Sequence, residues 1–247
     1  MFAIRRSLWL LVGWAMLFFG AESAFGQGTP REFPPGTVRR IEDLPPGRLR
    51  TQIERLPAQA RDRAVAWLGN FHFTDLDLDS LPVDPAGGIF YADHFNLAAD
   101  AAANPGDPGV AAAAVPVSPF PANLRFHSRP GAANVLFINF SGESVSNTAW
   151  NTSLGRTVIP AVAFSTDSDY TTFSDAEQLA IKRIWQRMAE DYAPFNIDVT
   201  TERPAPFGTR TAHALITRNT YANGQDNPAA TAGGVAYVNA FAHEQFL

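Results

Sequence analysis

Ser174-Asp175-Ala176-Glu177 opens a stretch that runs through Ile181, Ile184, Trp185, Met188 and Tyr192 to Pro194, then alternates as Phe195-Asn196-Ile197-Asp198-Val199-Thr200-Thr201. The first four residues are the S-x-x-E capping box, in which the serine oxygen and the glutamate side chain satisfy two backbone donors at the start of a helix. The apolar residues that follow recur at 3.6-residue spacing on one face, and Pro194 cannot continue the helix. Phe195, Ile197, Val199 and Thr201 then alternate with polar residues, the period of a strand. The stretch therefore predicts a long helix feeding directly into a strand.

Working outward, Val135 to Phe140 is a nearly continuous apolar run of strand length between Gly131 and Gly142, the pattern of a central strand covered on both faces. Downstream, Ala214 to Thr217 forms a short strand pattern, and Gly233-Gly234 leads into another at Val235 to Val238. The order strand, long helix, strand, strand, strand predicts a mixed α/β sheet whose first crossover is parallel and right-handed.

The amino terminus has a different texture. Arg5-Arg6 is followed by an uncharged apolar run from Ser7 to Phe19, with small residues Ala24 and Gly26 ahead of Gln27. That is the pattern of a secretory signal peptide over 1–26, too short for a comfortable membrane span. It predicts an exported protein without a stable membrane anchor. The chain of 247 residues has a net charge of -5 and no Lys/Arg run, which argues against nucleic acid and anionic membranes as partners. It has no cysteine, which excludes disulfides, thiolate metal sites and a cysteine nucleophile.

After the Pro-rich stretch 27–47, Leu49, Ile53 and Leu56, then Ala60, Ala64, Trp67 and Leu68, predict two short helices broken at Pro57. Asp75, Asp77 and Asp79 superficially resemble a calcium loop, but Ser80 and Ala86 stand where its glycine and bidentate glutamate belong, so a turn-rich stretch is expected. Gly87-Gly88 predicts a tight turn ahead of a strand at Ile89, Phe90 and Tyr91. The Ala/Pro/Gly-rich composition from Leu97 to Val117 reads as a linker. The expected organisation is a signal peptide over 1–26, a mainly helical pro-segment over 27–96, a linker over 97–130 and an α/β domain over 131–247.

Thr172 to Glu177, Ile184 to Thr201, Gly233 to Val238 and Val135 to Phe140 together resemble the amino-terminal half of the catalytic domain of secreted bacterial zinc metallopeptidases of the metzincin, reprolysin-like type, over residues 134–238. The resemblance implies a helix packed behind a mostly parallel sheet, and an edge strand at Gly234, Val235, Ala236, Tyr237 and Val238 that pairs with an extended polypeptide substrate. It implies zinc for the complete family member, held on a later helix carrying HExxHxxGxxH, whose glutamate activates the metal-bound water.

This chain ends at Leu247 without that motif. His243-Glu244 begins like it, but Leu247 stands where the second histidine is required. No catalytic or metal-binding residue is therefore assigned. His72, His94, His127 and His213 occur singly and read as surface or core residues, and Asp167 and Asp169 as turn carboxylates. The expectation is the front part of a secreted zinc metalloendopeptidase precursor, an incomplete metzincin-like domain that is inactive as this chain. It is expected to be a monomer or, because an uncovered edge strand invites pairing, an aggregation-prone fragment. The alternative is a non-catalytic secreted module that binds peptides along the same edge strand. A third reading takes Arg31 to Asp93 as a shed pro-segment that inhibits in trans.

Overall fold

Two separate apolar periodicities in the sequence close into two separate cores. The computed structural model describes residues 29–93, 116–205, 207–218 and 232–241. The expected signal peptide, residues 97–115 of the expected linker, His94 and His243 lie outside them. The described residues from Arg31 onward form one compact unit.

In chain order the elements are β1 (Glu32–Phe33), α1 (Arg48–Glu54), α2 (Ala58–Leu68), β2 (Phe73–Thr74), β3 (Phe90–Asp93), β4 (Asn134–Asn139), β5 (Glu143–Val145), α3 (Ala149–Leu154), β6 (Ile159–Ala161), α4 (Asp175–Asp191), β7 (Ile197–Thr200), β8 (Thr211–Leu215) and β9 (Gly234–Tyr237). This is a mixed α/β protein. No helix among the described residues is long and apolar enough to cross a membrane.

The first core is built by α1, α2 and the β1-β2 pair. Leu49 and Ile53 of α1 meet Ala64 and Leu68 of α2, and Phe33 stacks on Phe73 with ring centroids 4.8 Å apart. Val238, from far along the chain, packs against this core.

The second core lies between a parallel sheet, in the order β7-β4-β8, and α4. Leu136 through Phe140 are all buried: Phe137, on one face of β4, packs against Phe207 and His213, while Leu136, Ile138 and Phe140, on the alternate face, join the core with α4. Ile181 of α4 is fully buried against them, worth about 1.5–3 kcal/mol of transfer free energy. Farther along α4, Ile184, Trp185 and Met188 are only half-buried, and the Trp185 indole N–H donates to the Val199 carbonyl at 2.8 Å. Val117, Phe120 and Leu124, at the carboxyl end of the expected linker, also belong to this core.

β9 does not join the parallel sheet among the described residues. It pairs antiparallel with β3, with Phe90 opposite Tyr237 and Asp93 opposite Gly234. At its carboxyl end the Tyr237 hydroxyl bonds to Asp84 and Val238 packs into the first core.

Candidate peptide-pairing site

The site is assembled around β9. Alternating backbone direction along β3 decides what each side of that strand does. The Phe90 and Ala92 N–H groups donate away from β9, to the carbonyls of Pro82 and Ser80. On the other side, Val238 N–H donates to the Ile89 carbonyl at 3.1 Å and Gly233 N–H to the Asp93 carbonyl at 2.8 Å. Tyr91, opposite Ala236, sits between those two bonds, so its backbone faces β9. β3 is therefore an extended segment held along one edge of β9 by main-chain bonds.

Side chains fix β9 at Tyr237. Its hydroxyl donates to Asp84 Oδ2 at 2.8 Å, while Asp84 Oδ1 accepts from the N–H groups of Ala86 and Gly88, each at 2.8 Å. Burial, reinforced by the bond to Asp84, pushes the Tyr237 phenol far above its ordinary range and keeps it a neutral donor. Gly88 is required by close approach, because a Cβ there would come within 2.9 Å of the Tyr237 ring. The Trp67 indole N–H donates to the Val238 carbonyl at 2.9 Å.

Above this pair lies an aromatic cluster. Trp150 of α3 sits 4.3 Å from Tyr237 by ring centroid, and Phe90 of β3 meets both rings edge-on, at 5.4 and 5.9 Å. Beside it, a cavity of about 680 Å³ opens between β8 and β9, with Met188, Ile216, Trp150 and Tyr237 among its walls. No family model, curated protein or solved structure matches the chain.

The residues singled out in the sequence separate into two groups. Gly234 to Val238 are gathered here, with Gly234 and Ala236 exposed and Tyr237 buried. The histidines lie elsewhere. His72 is near Glu32 at the surface. His127 Nδ1 contacts Asp198 Oδ2 at 2.7 Å, and its Nε2 contacts Glu202 Oε2 at 3.2 Å. His213 stacks on Phe137 at 5.3 Å, and burial holds its pKa below the ordinary value. Its Nε2 lies 3.7 Å from Glu143 Oε2, beyond hydrogen-bond range, while Glu143 is already engaged by Arg203 and Asn139.

Among the described residues no group of three or more His, Asp or Glu is placed to hold a metal. These residues do not supply the ligand set that a catalytic zinc needs. Asp167 and Asp169 shape the turn before α4. The hydroxyl and N–H of Thr171, with the Thr172 hydroxyl, hold Asp169 down to about 2.

The sequence reading missed Asp84 and Trp150, and read Trp67 only as an apolar helix residue, not as a partner of Val238. The only local signal for Trp150 is Thr148, which caps α3 by accepting from the Asn151 N–H.

Proposed function

We propose that the chain belongs to a secreted zinc metalloendopeptidase precursor, in which 1–26 directs export, the segment ending in β3 is the pro-segment, and Gly234 to Val238 pair with an extended polypeptide. One observation supports this reading beyond the resemblance itself. β3, from the expected pro-segment, lies antiparallel along the strand expected to hold substrate. Such an occupant would hold a precursor latent without a cysteine, since strand addition along an edge supplies affinity through main-chain bonds. In this reading β9 binds and orients the peptide backbone, and β3 excludes peptides until it is displaced. Zinc would supply the activated water, through ligands that the described residues do not contain.

The deciding experiment reads the coding DNA downstream of Leu247 in all three frames. An HExxHxxGxxH within reach supports a peptidase precursor; its absence in every frame overturns it. The expressed chain is expected to show no chelator-sensitive cleavage of casein with added zinc.

The closed first core, with Val238 packed into it, favours a second reading: a non-catalytic secreted peptide-binding module. A cooperative melt of a monomer supports that module, and aggregation speaks against it.

A further inference from the structure

β3 carries information about what β9 accepts. Exposure alternates along it, with Phe90 half-buried, Tyr91 exposed, Ala92 buried and Asp93 exposed. The two inward positions thus hold one large aromatic and one small residue. The walls around Phe90 come from Trp150 and Tyr237, not from the segment that provides Phe90. A pocket built by other parts of the chain can receive the same side chain from another peptide.

We propose that β9 and Trp150 form an aromatic-selective peptide-binding site. Its ligand is an extended peptide running antiparallel to β9, with an aromatic residue opposite Tyr237 and a small residue two positions later, opposite Val235. The inference rests on β9 being the peptide-pairing strand. It adds the side-chain preference and names Trp150 as the residue that sets it. The main chain supplies pairing without selectivity, through the positions equivalent to Ile89, Tyr91 and Asp93. Selectivity comes from the edge-to-face geometry at the Phe90 position, which a serine or an aliphatic side chain cannot reproduce.

The test uses the full chain carrying Tyr91→Pro. Tyr91 is exposed and its N–H faces β9, so proline removes a pairing donor while leaving Phe90 and Ala92 unchanged. The probe is a fluorescein-labelled peptide of the sequence of residues 88–93, Gly-Ile-Phe-Tyr-Ala-Asp, followed by fluorescence anisotropy. The variant is expected to bind it saturably, and to bind the same peptide with serine for phenylalanine about tenfold more weakly. Adding Trp150→Ala should abolish the difference between the two peptides. A cooperatively melting Tyr91→Pro chain that binds neither peptide, or both equally, overturns the proposal.

A second measurement covers a variant that fails to fold. In the otherwise unaltered chain, Phe90→Ser should speed hydrogen exchange at the Gly233 and Val238 amides about tenfold while Phe90→Trp leaves it slow. Equal exchange in the two variants overturns the proposal equally. Neither readout requires zinc or hydrolysis. A coding region lacking the zinc motif therefore sinks the peptidase reading and leaves these results standing, whereas indifferent binding sinks only the preference.

Discussion

The Tyr237 hydroxyl donates to the Asp84 carboxylate at 2.8 Å, joining residues 153 positions apart in a buried setting. This bond ties β9 to the turn ahead of β3. Tyr237→Phe keeps the ring in contact with Trp150 and Phe90 but leaves Asp84 Oδ2 without this donor. An incompletely satisfied buried acceptor costs about 1–3 kcal/mol. The urea midpoint should fall accordingly with an unchanged slope; an unmoved midpoint would mean that the bond does not contribute in solution.

Glu177 is a buried carboxylate at the start of α4. It is fully buried and accepts from Thr166 N–H at 2.6 Å and Ser174 N–H at 2.9 Å. Burial alone would raise its pKa, but those N–H groups outweigh burial and hold it below the ordinary value. Such a group stabilises the fold above the unfolded glutamate pKa of about 4.3, and that contribution is lost as pH falls through the lower folded value. Glu177→Gln should be less stable than the natural chain at pH 7, with the gap narrowing as the solution is acidified. Denaturant midpoints between neutral pH and pH 3 measure this; a gap independent of pH would contradict it.

His127 gives the opposite dependence. Burial pushes its pKa down, but bonds to Asp198 and Glu202 outweigh burial and hold it above the ordinary value. The surrounding charges also include Arg125, 3.4 Å from Glu202, and Asp198 accepts the Arg129 N–H. A raised folded pKa contributes stability that is complete below about 6.5 and disappears as pH rises through the folded value. His127→Gln should therefore destabilise more at pH 5.5 than at pH 8.5. The difference should shrink in salt, because the histidine is partly exposed. A larger loss at the alkaline end would refute this account.

What could be read from the sequence was what neighbours in the chain decide. Ser174 and Glu177 make the reciprocal capping bonds that their spacing predicts, and α1 and α2 break at Pro57. β4 is central and parallel to β7, as a two-face apolar run before a crossover requires. β5 and β6 escaped notice because strands of three residues, one containing Pro160, carry too little period to detect. β8 spans Thr211–Leu215 rather than Ala214 to Thr217, because pairing with β4 recruits polar Thr211 and His213 that hydropathy does not mark. The partner of β9 was illegible for a deeper reason. Its choice of β3 depends on Asp84, Trp67 and Trp150, whose convergence no local spacing encodes.

Gly87 offers a test of the turn that presents β3 to β9. It adopts φ +86°, and a Cβ there would lie 2.1 Å from the Ala60 carbonyl oxygen, which belongs to α2 backbone and cannot rotate away. Gly87→Ala thus combines an unfavourable dihedral with a backbone clash, each of order 1 kcal/mol or more. The turn also carries the Gly87 N–H bond to the Asp84 carbonyl, so a shift there is transmitted to the carboxylate that holds Tyr237. Two effects should appear together. The chain should lose about 2–4 kcal/mol of stability in urea, and the Gly233 and Val238 amides should exchange faster than those of β4. Loss of stability with unaltered exchange at Gly233 and Val238 would show that the turn supports the first core alone and does not position β3 against β9.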